Sequence, residues 1–157
     1  MMATINELFL TGKHFNELQT LLKRNVHLND LTSDLFDFGG ADHKPIARLA
    51  KVLSKVPTGL SVTALITELD QRPSVVKTSV DALLDRHLVT ETDGKIVLTD
   101  AGHAFSQALD DRRNRIAKEA YGVLSADEQA QLLALMKKLI ADYEARDVDF
   151  DALRKLR

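Results

Sequence analysis

One dipeptide limits this chain more than any other: Asp93-Gly94, set between Leu88-Val89-Thr90-Glu91-Thr92 and Lys95-Ile96-Val97-Leu98. Asp-Gly between two β-prone runs is a strong signal for a two-residue hairpin, because both central residues of a type I′ turn need positive φ. Elsewhere the apolar residues recur mostly at helical spacing. A mainly helical chain with one tight hairpin has few folds open to it, and the residues just before the hairpin narrow them further.

There, Ser61 opens a short helix to Leu69 with Val62, Leu65, Ile66 and Leu69 facing inward. Asp70-Gln71-Arg72 makes a tight turn. Pro73, tolerated in a first turn, starts a second helix to about Arg86, with Val76, Val80, Leu83 and Leu84 inward. Two short helices joined by about three residues have helix-turn-helix spacing. A hairpin straight after them makes a winged helix.

The flanks are helical. Thr4 is placed to cap a helix to about Arg24, carrying Ile5, Leu8, Phe15, Leu18, Leu21 and Leu22 on one stripe. The period lapses from Asn25 to Gly40, and Gly39-Gly40 breaks any helix. Asp42 is the expected cap of a helix to about Val56, with Ile46, Leu49, Leu53 and Val56 on its inner face. Thr99 is placed to cap a long helix, about Asp100 to Gly122, with Phe105, Leu109, Ile116 and Ala120 on one face. Ser125-Ala126-Asp127-Glu128 reads as a capping box opening a leucine-rich helix. The charged tail from Asp147 to Arg157 holds a weak stripe of Phe150, Leu153 and Leu156.

Composition excludes several functions. The 157 residues contain no cysteine, which rules out disulfides, thiolate zinc sites and iron–sulfur clusters on this chain. With no tryptophan and 5% aromatics, stacking platforms for single-stranded nucleic acid are not expected. No apolar run approaches the roughly 20 residues a bilayer needs. The polar, acidic start, Met1 to Glu7, has no signal-peptide pattern, so the expected location is cytoplasmic, with no membrane partner. His14, His27, His43, His87 and His103 form no ligand motif, so no metal is expected. There is no glycine-rich phosphate loop, no nucleophile elbow and no cysteine nucleophile. The expectation is a chain that is not an enzyme and takes no cofactor.

Four stretches, in this order, resemble the MarR family of bacterial transcriptional regulators: LSVTALITEL (60–69), PSVVKTSVDALLDRHLV (73–89), VLTDAG (97–102) and LSADEQAQLLALMKKL (124–139). The resemblance covers roughly half the chain. It implies a mainly α fold with a small β-hairpin wing. Residues 1–56 and 103–157 would supply dimerisation helices around a winged helix-turn-helix at 57–102. It implies a homodimer on a palindromic double-stranded operator, with the recognition helix in the major groove and the wing at the minor groove. A small-molecule effector would bind between the dimer helices and the reading head, at residues not specified. The hairpin here is shorter than the family's and lacks its minor-groove arginine. Arg72 also stands where a serine-type cap is usual.

Counting faces at about 100° per residue, with Val76 and Val80 inward, turns Ser74, Thr78, Asp81 and Asp85 outward and puts Val75 and Lys77 beside them. Ser74 and Thr78 suit base edges or phosphates, and Val75 suits a thymine methyl. Arg72, Lys77 and, at the wing tip, Lys95 suit phosphates. Asp81 and Asp85 would repel the DNA backbone unless they lie beyond the groove or pair with Arg86. Arg112, Arg113 and Arg115 are expected in salt bridges with Asp110, Asp111 and Glu119. The net charge of -2 runs against a DNA-binding role, although binding depends on the charge facing the phosphates and not on the total. The competing reading is a winged-helix protein-interaction module that has lost DNA binding.

Overall fold

The computed structural model describes residues 4–29, 33–38 and 43–156. Thr4 accepts a hydrogen bond from the Glu7 amide at 3.0 Å and caps α1, Ile5–Leu28, which runs a full turn past Arg24. A 3₁₀ turn follows at Ser33–Phe36. Next comes α2, His43–Ser54, whose expected cap, Asp42, lies outside the described residues. Ser61 caps α3, Val62–Leu69, through the Ala64 amide at 3.1 Å, and α4 spans Pro73–Asp85. The antiparallel hairpin joins β1, Val89–Thr92, to β2, Lys95–Leu98, with Thr92 opposite Lys95 and Val89 opposite Leu98. Asp93 at φ 52° and Gly94 at φ 77° make the turn that the dipeptide predicts. The chain continues through α5, Asp100–Tyr121, α6, Ala126–Glu144, and α7, Phe150–Arg154. The architecture is helical with a two-stranded wing, as expected.

The chain divides into two compact units, residues 1–116 and 117–157. In the first, α2, α3 and α4 pack on one another, β2 packs on α2, and β1 packs on α4. Ile46, Leu49, Leu53, Leu65, Val76, Leu83 and Ile96 are fully enclosed. Burying one such side chain contributes about 1.5–3 kcal/mol. Val62, Ile66 and Leu84 are half-buried against this core, and Val56 falls beyond the end of α2. Two buried residues fall outside the apolar stripes read from the sequence, one for lack of a period and one for its polar side chain. Phe36 comes from the 3₁₀ turn, and Ser79 is buried on α4 with its hydroxyl donating to the Val75 carbonyl at 2.8 Å.

The wing is held by backbone bonds beyond the hairpin. Leu60 exchanges two bonds with Ile96, at 3.1 and 2.7 Å, adding a short third strand to the β2 edge. Gly59, at φ 79°, permits this: a Cβ there would press on the Ile96 carbonyl and lie 2.6 Å from Val97 Cγ2. After α4, His87 takes the left-handed conformation at φ 58°. Its amide donates to Leu84 O at 3.0 Å and that of Leu88 to Leu83 O at 2.9 Å, which is a Schellman end. Thr99 then donates its hydroxyl to His87 O at 2.7 Å and accepts from the Gly102 amide at 3.0 Å, so one side chain joins the end of α4 to the start of α5.

In the second unit, Ser125 and Glu128 form the expected capping box at the start of α6. No residue of α6 is buried, and Leu133, Leu135, Leu139 and Ile140 each stay more than half exposed. In the first unit, α1 likewise exposes Ile5, Leu8, Phe9, Leu18 and Leu21.

Candidate nucleic-acid interface

The helix-turn-helix is set by its turn. Asp70, at φ 47°, ends α3 in the left-handed region, and Pro73 starts α4 three residues later. Arg72 takes the N-cap position in extended conformation but makes no side-chain cap bond. Its guanidinium therefore does not close the helix start, while the amides of Val75 and Val76 donate to the Arg72 carbonyl at 3.0 and 3.2 Å.

The face count holds along α4. Ser74, Lys77, Thr78, Asp81 and Asp85 are exposed, Val75 is half-buried, and Val76, Ser79, Val80 and Leu83 face the core. The Thr78 hydroxyl donates to Ser74 O at 2.8 Å, which leaves its oxygen lone pairs and methyl group outward. Lys95 is exposed at the hairpin, opposite Thr92. Among the described residues, none of Arg72, Lys77 and Lys95 is held in an ion pair. Three cations and two hydroxyls thus stand exposed on α4, its N-cap and the hairpin.

The acidic half of α4 differs from the pairing considered for it. Among the described residues Arg86 forms no ion pair with Asp81 or Asp85. Its guanidinium donates to the carbonyls of Leu35 and Asp37, both at 2.9 Å, and of Asp34 at 3.3 Å, and lies 4.7 Å over the Phe38 ring. Among the described residues Asp81 and Asp85 have no ion-pair partner.

The arginine run on α5 also divides. Arg113 sits 3.8 Å from Asp110, as expected. Asp110 is held more closely by Lys51 of α2, at 2.5 Å to both oxygens. That hydrogen bond, with the charges of Lys51, Arg113 and Lys55, keeps the Asp110 carboxyl below its ordinary range against a desolvation that acts the other way. Asp111 accepts from Gln107 at 3.0 Å. Arg112 is buried, with its guanidinium 4.0 Å over Phe36. The sequence reading gave Arg86 a possible pairing with Asp81 or Asp85 rather than these carbonyls, and it missed Phe36 and Phe38. An arginine just past the second helix and two aromatics in a segment without periodicity were the available signals.

Among the described residues no group of three or more histidines and carboxylates is arranged to hold a metal ion. No helix among them is long and apolar enough to cross a membrane.

No family model matches the chain, and no characterised protein matches it by sequence. Solved structures do match in shape. The MarR family protein Rv2887 of Mycobacterium tuberculosis superposes with a TM-score of 0.59 at 21% identity, covering 82% of this chain and 92% of that one. The same protein in complex with DNA gives 0.59 at 20% identity over 88% and 98% of the two chains. Its complex with salicylic acid gives 0.51 at 20% identity over 88% and 99%. The PcaV transcriptional regulator of Streptomyces coelicolor gives 0.60 at 22% identity over 83% and 98%. MepR of Staphylococcus aureus, which regulates the multidrug efflux pump MepA, gives 0.59 at 17% identity over 90% and 99%. In its helix order, helix-turn-helix and hairpin, this chain has the fold of the MarR family of winged-helix transcriptional regulators.

Proposed function

We propose that the chain is a MarR-family regulator that binds double-stranded DNA in a sequence-specific way as a cytoplasmic homodimer, and that it is a repressor and not an enzyme. One observation carries the reading: the start of α4 presents exposed Arg72, Ser74, Lys77 and Thr78 beside half-buried Val75, with no competing ion pair among the described residues, on the same unit as Lys95 of the wing. In this reading Ser74, Thr78 and Val75 meet base edges, while Arg72, Lys77 and Lys95 meet phosphates. A two-fold dimer would place two such helices on palindromic half-sites. The exposed leucine stripes of α1 and α6 supply apolar surface for that dimer. Because Rv2887 has been crystallised with salicylic acid, a small-molecule effector that releases the DNA belongs to the same reading.

The test is binding of the purified chain to its own upstream DNA and to a genomic DNA pool, with unrelated competitor, at two salt concentrations. Specific binding should weaken with salt, and Lys77→Ala should lower the salt slope by about two, one phosphate contact for each protomer. Binding that the competitor removes equally, from both sources, would reject the regulator. A second reading, a protein-interaction module, is favoured by Asp81 and Asp85, exposed and without an ion-pair partner among the described residues, and by the net charge of -2. It predicts no specific binding to the pool, and capture of a protein partner that Asp81→Lys abolishes.

A further inference from the structure

Arg86 follows the last residue of α4 and holds backbone, not a carboxylate. The 3₁₀ turn Ser33–Phe36 and the two residues after it leave the carbonyls of Asp34, Leu35 and Asp37 pointing at one place. A planar guanidinium meets several acceptors at once because its donors lie in a fixed fork, which a lysine ammonium lacks. Two nitrogens of Arg86 reach all three carbonyls, and the guanidinium also covers the ring of Phe38.

The same short segment is clamped from α5. Phe36 is buried 5.6 Å from Phe105, Phe38 meets Phe105 edge-on at 5.8 Å, and the Arg112 guanidinium lies 4.0 Å over the Phe36 ring. Residues 34–38 are thus wedged between the end of α4 and the inner face of α5. They also flank the outward face of α4: a cavity of about 400 Å³ is bounded by Asp37, Phe38, Thr78, Asp81 and Arg86.

We infer that Arg86 is a positioning residue for DNA reading: by locking the segment 34–38 to the C-terminal end of α4, it sets the tilt of that helix. The inference rests on the reading of α4 as the DNA-contacting helix. Leverage makes the effect large. Ser74 stands twelve residues from Arg86, about 18 Å along the helix, so a tilt of about 10° at the C-terminal end moves it by about 3 Å. Base contacts tolerate far less than that.

The experiment compares wild type, Arg86→Ala and Arg86→Lys on DNA that the wild-type chain selects from a genomic pool. Affinity, salt slope, melting temperature and amide hydrogen exchange are read for each. The expected result is a loss of affinity of tenfold or more in both variants with an unchanged salt slope. Exchange should quicken in residues 34–38 and in the last turn of α4, while the chain still melts cooperatively. Arg86 as a plain phosphate contact predicts the opposite: Lys restores affinity and Ala lowers the salt slope by about two, one contact for each protomer. That result, or unchanged affinity, overturns the inference. If Arg86→Ala does not fold, Arg86→Lys alone decides by the same criteria. If the wild-type chain selects no DNA, the reading of α4 fails separately. Arg86 is then judged by exchange: quickening in both places keeps it as the lock on α4, and unchanged exchange removes it.

Discussion

Gly102 presses its α-carbon against the backbone of Leu88. A Cβ added there would overlap the Leu88 carbonyl oxygen and lie 2.9 Å from Leu98 Cδ2. Moving the carbonyl aside would strain the hydrogen bond that it accepts from the Thr99 amide at 3.0 Å. The first turn of α5 is therefore seated on the root of the wing through the absence of a side chain. Gly102→Ala should lower unfolding stability by about 3 kcal/mol, the upper part of the usual cost of overpacking. Urea unfolding measures it, and a cost below about 0.5 kcal/mol would mean that α5 is not seated there.

His87 stands at the left-handed residue that ends α4, a position where glycine carries no steric penalty. A non-glycine residue there costs about 1 kcal/mol. The Thr99 hydroxyl bonds the His87 carbonyl, which any residue supplies, and the imidazole is exposed. His87→Gly should thus stabilise the chain by up to about 1 kcal/mol and raise its melting temperature by a few degrees. A lower melting temperature would show that the imidazole does more than occupy the turn.

Asp110 is held below its ordinary pKa by the Lys51 hydrogen bond and the surrounding cations. A carboxyl whose folded pKa is depressed adds stability that is full above the unfolded value, about 3.9, and is lost as pH falls through the folded value. Asp110→Asn should therefore destabilise the chain at pH 7, and the gap to wild type should close as pH drops below about 4. Denaturant midpoints of both proteins at pH 7, 5 and 3 test this. A gap that stays constant with pH would assign the loss to packing.

The exposed apolar residues of α1 and α6 bear on assembly. Phe9 is 69% exposed and Leu135 is 60% exposed. If these stripes form the dimer, Phe9→Glu and Leu135→Glu should each weaken association at least tenfold without lowering helix content. Sedimentation at micromolar concentration, with circular dichroism on the same samples, reads both. Variants that sediment like wild type would place the dimer surface elsewhere.

What the sequence determined by itself was local. Thr4, Ser61 and Ser125 cap helices through amides three residues away, and Asp93-Gly94 turns the hairpin through its own dihedral angles. Such features depend on neighbours in the chain, so residue type and spacing state them directly. The outward face of α4 was legible for the same reason, since one helix period sorts Ser74, Lys77 and Thr78 from Val76 and Val80. Tertiary structure alone decided the rest. Arg86 finds Leu35 from 51 positions away, and Lys51 finds Asp110 from 59. The burial of Phe36, in a segment with no period, depends on Phe105 and Arg112 arriving from α5. A cation in sequence shows only its charge. Whether it meets a carboxylate, a ring or a set of carbonyls depends on which surfaces the packed helices bring within about 3 Å, and chain spacing does not encode that distance.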